Sequence, residues 1–310
     1  SKIRDAHEHD SLILFLLAQV YHSQRALVEA SRAIDRAIAL GGVTAVKSGL
    51  PDRFDMNLHQ LRIRVASELD QGDAVIESAL FILRSEEADD FAIIDAMSSV
   101  ANVDPKAVPD LDDLAALKNA PVEKMISVVR RLGWSEATAE LAAKLVERIL
   151  QGSPRLENIR SEDITDLQIP LIAAGRFDLA YEIYQTVEEK DQLRLDVLFN
   201  SSMAKWGRDG NPDFDMLRDV SYVFHEETNV ATEANHNQCW ALVAGLLGDE
   251  HKMFECLETA REIIGSARHI EFSCWNYLNV SAGEFLVHLD AIEDFILHDG
   301  PGPQFLRVSS

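Results

Sequence analysis

The chain is short of basic residues. Its 310 residues include 29 Lys and Arg against 52 Asp and Glu, which gives a formal charge of −23. Nucleic-acid binding needs clustered cations that neutralise phosphates, and anionic membrane surfaces attract the same groups. The composition therefore argues against both kinds of target, while it remains compatible with a basic partner.

Long apolar runs are missing as well. None approaches the roughly 18 residues that span a bilayer, and the early run Leu12–Val20 is interrupted by Gln19. Its flanks are acidic and lack a cationic segment, so we do not expect a secretory signal there. Because the first residue is a serine, a mature exported protein stays an alternative.

Cysteine is sparse, with only Cys239, Cys256 and Cys274. No CxxC pair is present, which argues against a zinc knuckle or a redox pair. Three isolated thiols on predicted helices are typical of buried core residues in a reducing compartment. We therefore expect a cytoplasmic protein.

Proline and glycine, 9 and 15 residues, lie mainly between blocks of helical apolar periodicity, and alternating runs of Val, Ile and Thr are missing. This pattern predicts an all-α protein of about a dozen helices joined by short turns. Asp10 or Ser11 is predicted to cap the first helix, and Gly41-Gly42 to end the second. Residues Ile270–Asn279 are predicted to be helical.

The positions of prolines, glycines and an acidic run predict four segments. Residues 1–100 form N-terminal helical repeats, and residues 101–121, which hold three prolines and an acidic run, form an irregular crossing. Residues 122–299 form C-terminal helical repeats. The glycine–proline sequence at 300–303 cannot continue a helix, so residues 300–310 are expected to be a flexible tail.

A repeat pattern is clearest between Gly175 and Tyr184. A glycine is followed by an aromatic residue two positions later, an alanine five positions later and a second aromatic four positions after that: Gly175, Phe177, Ala180 and Tyr184. This spacing resembles the turn and second helix of a tetratricopeptide repeat. Glycine lets the backbone reverse, alanine permits close approach of two helices, and the aromatic rings fill the space toward the next pair.

Two further segments resemble the pattern, one between Leu17 and Ala37 and one between Trp240 and Ala260, where Gly248 is the turn residue. Gly207 is predicted to be a third turn glycine. The resemblance implies a right-handed α–α superhelix of antiparallel helix pairs. An irregular helical bundle with the same short turns is the alternative.

The resemblance also implies that first helices line a concave groove, which binds a peptide, a helix or a partner domain. The groove positions in the clearest repeats would be Phe15, Gln19, His22, Asn235, Gln238 and Leu242. The cationic clamp of chaperone-binding members is missing there, so a basic or amphipathic partner is expected. We therefore predict a non-enzymatic scaffold or adaptor, with a homo-oligomer as an option.

Catalytic and metal-binding patterns are weak. His7-Glu-His9 lies near the chain end without an adjacent third ligand, and His225–Asn229 lacks the second histidine of HExxH. Neither a phosphate-binding glycine loop nor GxSxG occurs. No catalytic residue, metal or cofactor is expected. Two other functions stay open: a ligand-responsive regulatory domain of a larger protein, and an all-α metal-dependent enzyme.

Overall fold

The structure is a computed structural model that describes residues 10–48, 53–118, 120–133, 136–152, 163–188, 192–223, 229–273, 279–298 and 300. In these residues it is all-α, with helices that pack on their neighbours in sequence, which confirms the predicted fold class. The chain divides into an N-terminal unit, Ser1–Lys124, and a C-terminal unit, Met125–Ser310. None of the helices described is long and apolar enough to cross a membrane.

The N-terminal unit is built from consecutive helix pairs. Its elements are α1 (Ser11–Ser23), α2 (Leu27–Ser48), α3 (Phe54–Glu68), α4 (Gly72–Leu83), α5 (Asp90–Val103), two 3₁₀ turns (Pro105–Ala107 and Leu111–Asp113) and α6 (Ala115–Lys118). From α1 to α5 each helix contacts the next, and α3 also contacts both α1 and α5. First helices α1, α3 and α5 therefore touch in series, with α2 and α4 packed behind them.

The C-terminal unit continues this sequential packing. Helix α7 (Val122–Leu132) contains the division between the units, and the remaining elements are α8 (Glu136–Gly152), α9 (Ile164–Ala173), α10 (Phe177–Thr186), α11 (Leu195–Asp209), α12 (Phe214–Tyr222), α13 (Val230–Leu246), α14 (Glu250–Ser266), β1 (Glu271–Ser273), β2 (Asn279–Ser281) and α15 (Ala282–His298). Every helix from α8 onward contacts the following one.

Short polar side chains fix several helix starts. Asp10, Asp89, Asp213, Asn229 and Asp249 each accept hydrogen bonds from backbone N–H groups in the first turn of the helix that follows. Those N–H groups have no partner within the helix, so a side-chain oxygen at this position stabilises the start. The predicted cap at Asp10 is among them.

One turn geometry closes four of the helix pairs. Its central residue has a positive φ: Arg25 (59°), Asp70 (55°), Gly175 (71°) and Gly248 (81°). The next N–H donates to the carbonyl five residues earlier, as in Arg176 N to Leu171 O at 2.7 Å. This is the helix-ending pattern that left-handed residues make possible.

The residue five positions after each left-handed turn residue is fully buried. These residues are Ala30, Val75, Ala180 and Met253, each no more than 1% exposed. They lie in the first turns of α2, α4, α10 and α14, where the second helix of each pair leaves the turn. The repeated geometry therefore brings one buried, uncharged side chain to the same place in four pairs.

Three details of the sequence prediction were wrong. Gly41-Gly42 does not end α2, which continues to Ser48; glycine inside a helix costs about 1 kcal/mol but does not forbid the helical conformation. Gly207 is not in a turn but inside α11, and Gly210, with φ 75°, ends that helix.

The third correction concerns Ile270–Asn279, which was predicted to be helical. Residues Glu271–Ser273 instead pair antiparallel with Asn279–Ser281, so that Phe272 lies opposite Val280. Phe272 is fully buried and its ring centroid lies 5.4 Å from that of Phe285 in α15. Burial of this ring against α15 outweighs the helical periodicity of the segment. The prediction for Cys274 falls outside the described residues.

Gly207 in α11 lies directly against Phe177 of α10. A Cβ atom built on Gly207 would lie 2.5 Å from Cδ1 of Phe177. Phe177 is the aromatic residue of the repeat pattern, so its ring occupies the space between one helix pair and the next. Glycine is required here by contact and not by backbone conformation.

We expect Gly207→Ala to lower the free energy of unfolding by about 1–3 kcal/mol, because the added methyl group collides with the Phe177 ring. The matched control is Gly265→Ala in α14, where a Cβ atom meets nothing within 4 Å. Both changes raise helix propensity, so Gly265→Ala should be neutral or stabilise by up to about 1 kcal/mol. Urea unfolding followed by circular dichroism measures both, and equal effects would contradict the packing account.

Candidate functional site

The first helices of the N-terminal unit lie next to one another. Helices α1, α3 and α5 contact each other in series and pack with α2 and α4, so their solvent-facing sides lie away from the second helices. We call this surface the first-helix face. Its exposed or half-buried side chains are Leu12, Leu16, Gln19, Asn57, Gln60, Arg64, Asp95 and Asn102.

Helix α1 is apolar on two faces. Leu14 and Ala18 are buried in the core of the unit. On another side, Leu12, Leu16 and Val20 are spaced by four positions and, together with the adjoining Leu17, are 36–51% exposed; we call these four residues the α1 stripe. No Asp, Glu, Lys or Arg occurs anywhere in the 13 residues of this helix. The α1 stripe is therefore an exposed patch with no charge of its own.

Two contacts hold α1 on α3. The rings of Phe15 and Phe54 meet edge to face with centroids 5.5 Å apart. At the other end, His22 Nε2 lies 2.6 Å from Glu68 Oε1, and the Arg25 guanidinium donates to the other oxygen of the same carboxylate. The His22 hydrogen bond, helped by the Arg25 charge, lowers the pKa of Glu68 below its ordinary value. Phe15 and His22 thus join helices, while Gln19 is exposed.

A crevice opens where α3 and α5 end and α4 begins. Its volume is about 380 Å³, and Ser67, Asp70, Gln71, Ser99 and Asn102 supply its polar groups. Gly72 and Val103 form part of its apolar wall, and a Cβ on Gly72 would come within 2.9 Å of Val103 Cγ1. The crevice therefore lies beside the first-helix face and depends on glycine at the first position of α4.

The predicted groove positions in the C-terminal unit are less accessible. Asn235 is half-buried, whereas Gln238 and Leu242 are fully buried. The reason is that α15 and β1 pack against α13, and a Cβ on Gly245 would lie 2.7 Å from Ile296 in α15. Gln238 and Leu242 therefore lie inside the unit and not on an open groove, so they are not part of the candidate surface.

Two residues of the best repeat match, Ala180 and Tyr184, pack against neighbouring side chains. Ala180 is fully buried where Gln168 Nε2 donates to its carbonyl at 3.3 Å and to Ser201 Oγ at 2.9 Å. Because Ser201 belongs to α11, this buried amide links three consecutive helices. Tyr184 is half-buried beside Tyr181, and burial raises the pKa of its hydroxyl.

Two polar clusters of the C-terminal unit join helices to each other. Arg130 of α7 donates to Asp163 and, at 2.7 Å, to Asp166 at the start of α9. Burial raises the pKa of Asp166 although Arg130 opposes the shift. Asp196 is half-buried, which favours its protonated form, but hydrogen bonds from Arg194 and Thr165 outweigh this effect and hold its pKa below the ordinary value. Across the described residues, no group of three or more His, Cys, Asp or Glu is placed to hold a metal ion.

The sequence reasoning missed the α1 stripe. It assigned α1 a groove through Phe15, Gln19 and His22 and did not consider Leu12, Leu16 and Val20. The sequence did contain a signal, because these three residues are spaced i, i+4, i+8. A helix with only one buried face needs no second apolar row of this kind. His7 and His9 fall outside the described residues.

A buried histidine, His59, lies on the side of α3 that packs on α4. The ring of His59 stacks on Phe81 of α4 with centroids 3.9 Å apart, and its Nδ1 atom makes no hydrogen bond. Burial, assisted by the charge of Arg62, lowers the pKa of His59 from 6.5 to about 4. In the unfolded chain this ring takes up a proton near pH 6.5, whereas in the folded protein it stays neutral until about pH 4.

The unfolded state therefore binds more protons between pH 6.5 and 4, and stability must fall as the pH decreases through this window. We expect His59 to account for up to about 3 kcal/mol of that loss, and His59→Leu to flatten the curve. Urea unfolding at pH 7, 5.5 and 4 measures it. As a control, Leu14→Ala truncates a buried, non-titrating side chain of α1 and should lower stability at every pH while it keeps the slope. An unchanged slope in His59→Leu would contradict the assignment.

Comparison with models of known protein families gives no match, and comparison with curated proteins gives none either. The likeness to a tetratricopeptide repeat thus depends on the residues quoted above. What the structure shows is an all-α chain whose helices pack in neighbouring pairs, consistent with a helical repeat fold.

Proposed function

We propose that this chain is a non-enzymatic interaction scaffold that binds a partner protein or peptide on the first-helix face of its N-terminal unit. The single observation that carries the proposal is the α1 stripe, whose four aliphatic side chains are exposed along one helix. Contiguous apolar patches on a folded surface mark interaction sites, because leaving them in water is unfavourable.

The repeated left-handed turn supports a tetratricopeptide-like architecture. Four helix pairs share the turn geometry and the buried residue five positions later. In arrays of this type the pairs form a right-handed superhelix, first helices line the binding surface and second helices form the back. The exposed side chains on α1, α3 and α5 fit that division of roles.

The chemistry of the face favours an amphipathic partner. An apolar side of the partner would cover the α1 stripe, and its polar side would meet Asn57, Gln60 and Arg64 on α3. Arg64 and Asp95 carry opposite charges, so this face does not select a basic partner by net charge alone. The charge of −23 disfavours nucleic acid and anionic membranes as partners.

A non-enzymatic role and a cytoplasmic location belong to the same proposal. The polar clusters described above already act as ion pairs and hydrogen bonds between helices. Cys239 and Cys256 are buried, and burial raises the pKa of Cys256, which makes it a poor nucleophile. Buried cysteines of this kind fit a reducing compartment.

A ligand-responsive regulatory domain is a second candidate, which the crevice beside α4 favours. Its volume of about 380 Å³ falls within the range of small-molecule sites. A ligand held by Ser67, Ser99 and Asn102 would tie the ends of α3, α4 and α5 together. A rise in melting temperature with a metabolite mixture, lost in Asn102→Leu, would favour this candidate over the scaffold.

We expect Leu16→Glu to abolish partner capture by the scaffold, because a carboxylate at the centre of the α1 stripe must be desolvated on binding. The matched control is Val287→Glu, which puts the same charge on a 66% exposed aliphatic position of α15. Partners captured from the source lysate by the unmodified protein and by Val287→Glu, but reduced at least tenfold in Leu16→Glu, are bound by the α1 stripe.

The second variant, Arg64→Glu, tests whether α3 takes part. We expect it to weaken capture of the same partners and leave the melting temperature unchanged, because the side chain of Arg64 is exposed. If all three variants capture the same proteins in the same amounts, the first-helix face is not the binding surface.

A further inference from the structure

We infer that the crevice beside α4 binds a primary ammonium group carried on an aliphatic chain. The inference rests on the second candidate function, the ligand-responsive domain, and names the class of ligand for its site. It is carried by a carboxylate and by carbonyl groups of the crevice that have no partner among the described residues, and by a hydroxyl that is able only to accept a hydrogen bond.

Asp70 brings a negative charge to the wall of the crevice. The turn between α3 and α4 holds its backbone in the left-handed conformation at φ 55°, so the side chain starts from a fixed position. Within the part of the chain that the structure describes, its carboxylate forms no ion pair and accepts no hydrogen bond. None of the eight residues that line the crevice is Lys, Arg or His. The charge of Asp70 is therefore open to a cation from outside.

The end of α5 adds carbonyl groups that lack a partner. A helix would pair the carbonyl of Ala101 with the N–H four residues later, but that residue is Pro105, which has none. The next two N–H groups, of residues 106 and 107, bond instead to the side chain of Asp104 at 3.0 Å and to its carbonyl at 2.9 Å. The carbonyl groups of residues 101–103 consequently accept no hydrogen bond from any described residue. The last two of these residues line the crevice, so this negative helix end borders it.

The hydroxyl and amide groups of the crevice supply further acceptors. Ser99 already donates its hydroxyl hydrogen to the carbonyl of Asp95 at 2.6 Å, so its oxygen is left to accept. Ser67, Gln71 and Asn102 each offer a side-chain oxygen as well. An ammonium group has three hydrogens to donate and accepts none. It therefore matches a site made of carboxylate, carbonyl and hydroxyl oxygens.

The remaining wall of the crevice is apolar. Val75 is fully buried and Val103 is 44% exposed, and both line the crevice. Their methyl groups offer an apolar surface to the methylene groups of an alkyl amine. The volume of about 380 Å³ leaves room for more than a four-carbon chain. A free amine and a lysine side chain with its backbone thus share the chemistry that this site recognises.

An anion fits the crevice less well. The N-terminal end of α4 is positive, because its first N–H groups, from Gly72 onward, have no side-chain cap. The C-terminal end of α3 lies beside it with the opposite sign, and the full charge of Asp70 and the open end of α5 add to the negative side. The formal charge of −23 also repels anions and attracts cations. The balance of charges therefore favours a cation.

Nuclear magnetic resonance of the ¹⁵N-labelled full chain tests the inference with n-butylamine, which reproduces a lysine side chain beyond Cα and is protonated at pH 7. At constant ionic strength we expect saturable shifts of the amide signals of residues 67–75 and 99–104. The dissociation constant should be on the order of 1–10 mM, because a single exposed ion pair contributes little.

1-Butanol has the same chain without the charge and should bind at least about fivefold more weakly. Equal binding of the two probes would overturn the inference. So would shifts confined to other residues, or no saturable shift below about 100 mM n-butylamine, a concentration well above the expected dissociation constant.

Asp70→Asn removes the charge and keeps the turn, because asparagine adopts the left-handed conformation readily. We expect it to weaken n-butylamine binding about fivefold. The matched control is Asp178→Asn, which removes the same charge from an exposed side chain of the C-terminal unit and should leave the dissociation constant unchanged. Equal weakening in the two variants would overturn the inference, because it would reflect only the overall charge.

Ser99→Leu fills the crevice while it keeps every carboxylate. Leucine favours a helix at least as well as serine, and the hydroxyl that is lost bonds only within α5, so we expect the variant to fold. Dispersed amide signals verify this. Binding of n-butylamine should disappear, and undiminished binding in the folded variant would contradict the location.

Nα-acetyl-lysine N-methylamide separates the two sources of the ammonium group. If it binds at least as tightly as n-butylamine, the site admits a lysine with its backbone, and the source is a lysine side chain of a bound partner. If it binds about fivefold more weakly, the source is a free amine. Its Nε-acetylated form has no charge and should not bind, and equal binding of the two forms would overturn the inference.

The proposed functions have separate readouts. If a metabolite mixture raises the melting temperature and Asn102→Leu removes the effect, while n-butylamine produces no shift, the ligand-responsive candidate stands and this inference fails. Partner capture in Leu16→Glu tests the scaffold independently, because Leu16 does not line the crevice. Binding of n-butylamine should therefore be the same in Leu16→Glu as in the unmodified protein.

Discussion

A residue in the left-handed conformation after the first helix of a pair is the constraint that organises the chain. It lets the next N–H bond back five residues, which ends one helix and starts its antiparallel partner almost at once. The backbone of Arg25 and of Asp70 also adopts this conformation, although it is less favourable for residues other than glycine. The tight reversal forces the two helices close together, and buried uncharged residues such as Ala30 and Ala180 occupy the approach.

This packing uses only part of the apolar surface of α1. Leu14 and Ala18 face the core, and Phe15 and His22 secure the helix on α3. Because α1 has no earlier helix against it among the described residues, its other apolar side stays exposed. A helix side in contact with water normally presents polar side chains. An aliphatic row in this position is the physical reason to assign the surface a binding role.

In the C-terminal unit, the last of the first helices is α13, and its surroundings differ from those of α1. Helix α13 is covered by α15 and β1, with Gly245 allowing Ile296 to come close. The hairpin is secured by Phe272 against Phe285. Residues that sequence spacing placed in a groove, such as Gln238, are consequently interior. The same repeat pattern therefore gives an open face in one unit and a covered one in the other.

The all-α class, most helix starts and the turns at Gly175 and Gly248 follow from the sequence, because helical periodicity, capping side chains and glycine act over a few neighbouring residues. Sequence reasoning placed Gly207 in a turn and a helix at Ile270–Asn279. Both details were decided by distant contacts, with Phe177 and with Phe285 respectively. Which apolar side of α1 is buried was likewise beyond the sequence, because periodicity gives the spacing of a face but not what packs against it. Only the tertiary structure separates Leu14 in the core from Leu16 in solvent, since that choice depends on where α2 and α3 lie.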